Sequence, residues 1–467
     1  MIHFNSSATS PAPGTLRELL LVSFPLVLSA GSFSLMTVVD RIFLAQLNVD
    51  ALAASMPAAM LSWSSMSLSF GVAGYTNAFT SQYEGAGRKD QVASTLWQGL
   101  FLALAGGILL LPLILVSPWI FQAMGHDPHV QTLEVEYFNY LCPVAIPTLL
   151  NTVLSAFFTA RKRSDVIMWT NMFTSILNAF AAYALVFGFG PIPAMEIRGA
   201  AIATVCAQSV GTLILAILLM RDGRRHGYPF ASTLKLNPEL LWRIVRYGIP
   251  NGVQMLLDVG AFTLFIALIG HLGTQDQAAT NLAFTLNSLA FVPMIGMGTA
   301  VVTLVGLRIG EQQAGLAEAT VWKAFFLSGL YMILFAILYL SVPDLILSPF
   351  MSGSDAEKFE ELRPTVILLL RYVAIYTFFD AMAIIFGSAV RGAGDTSFSL
   401  IFSMLCSWLL MVVPTLIVLR QGGGLQGCWI AVSVTVIVMG LGFLFRFMQG
   451  KWKSMRVIET ESAPVSP

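Results

Sequence analysis

Asp258 and Asp380 each stand alone in a long apolar stretch: apart from these two, no Asp, Glu, Lys or Arg occurs between Arg246 and Asp276 or between Arg371 and Arg391. Asp40 is nearly as isolated, with Arg41 its only charged companion between Glu18 and Asp50. Each stretch is long enough to cross a bilayer at about 1.5 Å per residue, so all three carboxylates are expected inside a membrane. An unpaired acid at mid-bilayer costs about 2.5–3.5 kcal/mol on insertion scales. Such a cost points to a task, and the task open to a carboxylate in these surroundings is to take up and release a proton or a small cation.

The composition sets the class. The chain of 467 residues is 56% hydrophobic and only 11% charged, whereas a soluble domain has about 25% charged residues; it reads as an integral membrane protein. Lys plus Arg (25) balance Asp plus Glu (25), so no excess of positive charge suggests nucleic acid. Cys142, Cys206, Cys406 and Cys428 lie in apolar runs without metal-like spacing and read as small hydrophobic side chains. His3, His126, His129, His226 and His271 are scattered, and no HExxH, GxSxG or Walker-type string occurs, which argues against a membrane enzyme. The polar, Pro-containing start MIHFNSSATSPAPG reads as a disordered tail, residues 1–16, and not as a cleaved signal.

Apolar runs between loop signals give an all-α protein of twelve transmembrane helices, near 17–46, 50–80, 94–122, 132–160, 165–189, 196–220, 240–271, 277–307, 316–346, 363–391, 395–420 and 423–448. With the N-terminus inside, 19 basic residues fall on inner segments and 6 (Arg41, Arg198, Lys358, Arg363, Arg371 and Arg420) on outer ones. The positive-inside rule then places both termini in the cytoplasm. The chain also repeats itself: Pro25 and Pro250, Leu47 and Leu272, Ala58 and Ala283, Gly71 and Gly296, and Gly85 and Gly310 all stand 225 residues apart without a gap (250 − 25 = 225). An even number of spans per repeat gives two lobes of six helices, 17–220 and 240–448, related by a pseudo-two-fold axis along the bilayer normal, with substrate handled between them. The polar loop 221–239 joins the lobes, and 449–467 forms a cytoplasmic tail.

The acids do not follow the repeat. Phe33 and Phe265 occupy the positions equivalent to Asp258 and Asp40, so the lobes share a scaffold but differ in polar chemistry. Tyr376 precedes Asp380 by one helical turn and shares its face, a pairing suited to Na⁺, which gains from several oxygen ligands and from a π face. Asp258 could complete such a Na⁺ site if the seventh and tenth spans pack together. Asn171, Ser175 and Asn178 form a polar stripe on the fifth span that could lie near Asp40; for Asn178 an interhelical hydrogen bond is an equal alternative.

At these residues the chain resembles the multidrug and toxic compound extrusion (MATE) family, in its NorM-like branch. The likeness runs from FPLVLS at Pro25 through VVDRIF at Asp40 and GIPNGVQMLLDVGAF at Asp258 to YTFFDAMAIIFGSAVRGAGDT at Asp380. The resemblance implies a V-shaped pair of six-helix lobes in the inner (plasma) membrane. Its implied activity is antiport, exporting amphipathic, often cationic compounds against Na⁺ or H⁺ without a cofactor, as a monomer. It matches Asp40, Asp258 and Asp380 to the family's first-, seventh- and tenth-span acids, Tyr376 to the aromatic residue one turn earlier, and Asn178 to the fifth-span Asn. Two positions depart from the pattern: Asp258 stands where Glu is common, and Ala182 replaces a polar or acidic residue, which weakens an N-lobe proton site and favours coupling at Asp258 and Asp380. A lipid-linked oligosaccharide flippase of the same superfamily would need basic residues in its cavity to hold diphosphate, and here the mid-span charges are acids.

The topology can be tested directly. A cysteine at Ser232 should resist a membrane-impermeant maleimide in intact cells and react after permeabilisation; labelling from outside would invert the assignment.

Overall fold

The computed structural model describes residues 11–191, 193–347 and 356–459. Twelve long helices follow one another: α1 (Leu16–Leu47), α2 (Val49–Gly74), α3 (Lys89–Leu110), α4 (Pro128–Ala160), α5 (Ser164–Phe187), α6 (Glu196–His226), α7 (Pro238–Ile269), α8 (Thr274–Gly310), α9 (Ala314–Ser341), α10 (Ala356–Ala393), α11 (Thr396–Arg420) and α12 (Leu425–Met448). Among the described residues eleven are both long and apolar enough to cross a membrane. The exception, α2, has ample length, but its serines (Ser55, Ser62, Ser64, Ser65, Ser67 and Ser69) dilute its hydropathy.

Local chemistry sets the helix ends. The Thr15 hydroxyl accepts from the Glu18 amide at 3.3 Å while the Glu18 carboxylate accepts from the Gly14 amide at 2.7 Å, so both partners satisfy free amides at the start of α1. Asn48, Asp127 and Asn237 cap α2, α4 and α7, the last two followed by Pro at the first helical position. Besides the second span, which ends at Gly74 and is followed by a separate helix, Thr76–Gly85, two stretches differ from the sequence-based spans. The expected span 94–122 breaks after Leu110, where Pro112 cannot continue the hydrogen-bond ladder, and a separate helix, Leu113–Met124, follows. At the other site α6 runs on to His226, so Arg224, Arg225 and His226 form its last turn, beside the helix's negative pole, and Gly227 ends it with φ +75°. Of the expected N-terminal tail, residues 1–10 lie outside the described residues, as do residues 460–467 of the C-terminal tail.

In the first lobe α1 packs on α5, α5 on α6, and α4 on α3 and α6; in the second, α7 packs on α11, and α10 on α8, α9 and α12. The lobes meet through α1 against α8 and α7 against α2, a pair of contacts exchanged by the 225-residue repeat. The exchange holds for single residues. A Cβ at Gly85 would lie 2.1 Å from the Leu307 carbonyl oxygen, and one at Gly310 would lie 2.1 Å from the Gln82 carbonyl oxygen. One at Gly71 would sit 2.5 Å from Gly252, and one at Gly296 would sit 2.6 Å from the Val27 amide nitrogen. Gln82 and Leu307, like Val27 and Gly252, are repeat equivalents, so the inter-lobe contact is reciprocal, as in an isologous dimer. Only glycine lets the backbones come this close.

These contacts lie in the half of the molecule that bears both chain ends. Polar bonds reinforce them there: Asn77 donates to Thr303 (3.0 Å), Tyr75 to the Arg391 carbonyl (2.9 Å), Gln82 to the Gly392 carbonyl (3.0 Å) and Asn251 to the Gly71 carbonyl (2.7 Å). The lobes therefore join on the terminus side, and the V opens on the far side.

Substituting Gly310 with Ala places a methyl where a carbonyl sits, an overpacking of about 1–3 kcal/mol. G310A should lower the apparent Tm in detergent by several degrees. G315A, where a Cβ meets nothing within 4 Å, should leave it unchanged. Equal behaviour of the two variants would contradict the close contact.

Candidate cation-coupling sites

In the first lobe, Asp40 is 8% exposed and faces α5 and α6. The Thr204 hydroxyl, with one proton to donate, lies 3.3 Å from one of its carboxylate oxygens and 3.0 Å from the Ala200 carbonyl, and the Asn178 amide donates to Thr204 at 3.2 Å. The second carboxylate oxygen of Asp40 and the amide oxygen of Asn178 are both buried without a hydrogen-bond partner. A buried acceptor without a partner is costly, and a proton or cation taken up at Asp40 would relieve the one on its carboxylate. Asn178 is fully buried, and so is Ala182 one turn later, whose methyl adds no ligand. Asn171 and Ser175, the rest of the stripe, fasten α5 to α1: Asn171 donates to Ser29 at 2.6 Å and Ser175 to the Ser32 carbonyl at 3.0 Å.

In the second lobe, Asp258 on α7 accepts from Ser407 on α11 at 3.0 Å and, at 3.5 Å, from Gln254 one turn earlier. Gln254 also donates to Ser403 at 2.9 Å, which sets its amide orientation and leaves its own carbonyl oxygen buried and unpaired. Ser407 lies within wider π-helical turns at Cys406–Val412 that interrupt α11. Such turns in an otherwise regular helix frequently mark functional sites.

Tyr376 and Asp380 share one face of α10, with Tyr376 only 3% exposed in the core of the second lobe. Asp380 has no hydrogen-bond partner among the described residues, in contrast to Asp40 and Asp258. The structure does not pack α7 along α10. Asp258 is bonded to α11, and no hydrogen bond joins it to Tyr376 or Asp380, so the conditional three-residue cluster appears as two separate places, Asp258 with α11 and Asp380 with Tyr376. Among the described residues no three His, Cys, Asp or Glu side chains converge as a metal cluster. Thr204, Gln254, Ser403 and Ser407 escaped sequence reasoning, since hydroxyls and amides are common in membrane helices and nothing in the linear order links them to a given acid.

A two-lobed bundle of twelve helices, with reciprocal inter-lobe contacts and acids between its helices, is the architecture of a membrane transporter. The sequence matches the MatE family over residues 25–184 and 250–417, one stretch in each lobe and together more than half of the chain, and the protein belongs to that family. It is 26% identical to a Pseudomonas putida protein named probable multidrug resistance protein NorM, over 97% of this chain and 99% of that one. Its fold resembles a MOP superfamily transporter from Pyrococcus furiosus (TM-score 0.85, 20% identity, 97% of this chain and 100% of that chain). It likewise resembles the outward-facing conformation of a multidrug resistance MATE family transporter (TM-score 0.85, 20% identity, 95% of this chain and 97% of that chain).

Thr204→Val keeps the side-chain shape but removes the hydroxyl beside Asp40, leaving a buried acceptor without its bond at about 1–3 kcal/mol. Transport efficiency should fall about tenfold if Asp40 acts in the cycle. Unchanged transport would reduce the Thr204 bond to helix packing.

Proposed function

We propose that the protein is a secondary active exporter of amphipathic, often cationic organic compounds. It alternates between access to the two membrane faces and couples export to entry of a cation, with Na⁺ favoured over H⁺. Its place is the inner (plasma) membrane, with both termini cytoplasmic and a single chain as the working unit. The observation behind the coupling assignment is Asp380: a carboxylate in a membrane-spanning helix that lacks a hydrogen-bond partner among the described residues, one turn from a buried tyrosine. Such a group is costly while ionised and empty, and binding a cation removes that cost. The name shared by the Pseudomonas putida relative, multidrug resistance protein, supports the choice of substrate class.

Na⁺ gains from a partner set held at fixed spacing, and Tyr376 one turn before Asp380 offers a π face and a phenolic oxygen on the same surface. Asp258, with Ser407 and Gln254, offers a second set of oxygens on α7 and α11. Asp40 with Asn178 and Thr204 provides an N-lobe site suited to a proton or to a cationic substrate. The ion is cargo on this reading, bound and released in each cycle.

Efflux of a fluorescent cation from proteoliposomes tests the proposal. A Na⁺ gradient at equal pH should drive it, and Asp258→Asn and Asp380→Asn should each lower the rate at least tenfold while the protein still folds. Tyr376→Ala should weaken apparent Na⁺ affinity more than drug affinity. Full efflux under a pH gradient without Na⁺ would reassign the ion to H⁺, and normal transport by both Asn variants would make the acids structural.

A further inference from the structure

On the terminus side the repeat also relates two groups of charges, and it relates them unequally. Glu18 and Arg243 are repeat equivalents, as are Tyr83 and Arg308. On one flank of the pseudo-two-fold axis Glu18 of the first lobe pairs with Arg308 of the second, both 1% exposed, and Arg308 also reaches Glu311 at 2.5 Å. Lys162 adds to Glu18 at 2.6 Å. On the other flank the same positions hold Arg243 and Tyr83, a cation and a phenol 3.4 Å apart, and among the described residues no carboxylate of the helical lobes bonds either. The C-terminal tail fills the gap. Glu459 accepts from Tyr83 at 2.8 Å and from Arg88 at 2.5 Å, both in the first lobe, and pairs with Arg243 of the second.

The tail is rooted on the second lobe before it crosses. Trp452 stacks on Phe447 at 5.0 Å and donates to its carbonyl at 2.9 Å, and Lys453 pairs with Glu318 at 2.7 Å. Val457 and Ile458 are 2% and 8% exposed, and the Val457 amide donates to Gln82, one of the residues of the reciprocal glycine contact, at 2.9 Å. Burial of the Glu459 carboxyl acts to raise its pKa, but hydrogen bonds, first that from Arg243, outweigh burial and lower it to about 2. The group thus stays ionised, and its interactions are lost only as pH falls through about 2.

The geometry points to a second inter-lobe lock in which residues 456–459 act as a strap: Glu459 supplies the carboxylate that the repeat omits, holds the terminus side closed, and has to leave Tyr83 and Arg88 before that side can open. The strap rests on the alternating-access reading above. It makes Glu459 a conformational residue of the transport cycle that bonds none of the three intramembrane acids.

Spin labels at the repeat-equivalent positions Asp90 and Gly315, in a background without the four native cysteines, report the terminus-side separation of the full chain in nanodiscs. Glu459→Gln, on the surface and compatible with folding, should raise the population with the longer separation at least threefold, whereas Glu459→Asp should stay within twofold of the parent. As a second measurement, Arg88→Cys with Glu459→Cys joined by a reducible bis-methanethiosulfonate should lose at least tenfold in efflux rate and recover on reduction. Two separations in the parent with no change in Glu459→Gln would overturn the strap alone. A single separation in every variant, with or without drug, would overturn alternation and the strap with it. Undiminished efflux by the crosslinked protein would also overturn the strap.

Discussion

The reciprocal approach of backbones at Gly85 and Gly310 is the constraint on which the rest of the structure depends. Each glycine faces a carbonyl of the opposite lobe at a distance no side chain could tolerate, and each contact is the repeat image of the other. This fixes where, and on which side, the two lobes are tied together. Because lipid tails are as apolar as leucine, membrane helices gain little from hydrophobic contact, and close backbone packing with interhelical hydrogen bonds must supply the association. The bonds from Asn77, Tyr75, Gln82 and Asn251 flank the glycines for that reason.

The acids occupy comparable places once helices, and not residue numbers, are compared. Asp40 and Asp258 fall at unrelated positions of the repeat, where their equivalents are phenylalanines. Yet each lies on the first helix of its lobe: Asp258 meets Ser407 on the fifth directly, whereas Asp40 meets Thr204 on the sixth and reaches Asn178 on the fifth through it. The helix pair α1–α5 and its image α7–α11 both pack together, and each acid lies on the first member of its pair. Asp380, on the fourth helix of its lobe, breaks the correspondence, and its lack of a hydrogen-bond partner among the described residues sets it apart from the other two.

The sequence made legible whatever depends on long-range averages or on expensive residues. Twelve spans followed from hydropathy, the two lobes from the 225-residue register, and the three acids from their isolation. What stayed hidden depends on three-dimensional pairing. Thr204 and Ser407 are ordinary hydroxyl residues until an acid is placed beside them, and the π-helical turns of α11 have no signature in Cys406–Val412 that distinguishes them from a regular apolar helix. The tail was read as a plain cytoplasmic extension, since nothing in Val457, Ile458 or Glu459 shows that Tyr83, Arg88 and Arg243 converge to receive it.

The charges of the closed side also bear on how easily the lobes could part. Removing one member of the Glu18–Arg308 pair would leave the other with a single remaining partner, Lys162 or Glu311, and cost up to about 3–5 kcal/mol, but separating the two lobes returns both members to water and recovers much of their hydration. The contribution of such a pair to the balance between closed and open is therefore far smaller than the effect of mutating it. The Arg243–Glu459 pair is partly exposed, with side chains 23% and 41% accessible, and exposed pairs contribute about 0–1 kcal/mol. A closed side held by many such small and reversible terms lies within reach of the sites in the membrane. Inverting a two-state population from 1:99 to 99:1 requires about 5.5 kcal/mol, and neutralising two intramembrane carboxylates, at about 2.5–3.5 kcal/mol each, is of that size. On the proposed coupling, a cation taken up at the acids would supply energy of the size that such an inversion needs, while the terminus-side pairs add only small terms.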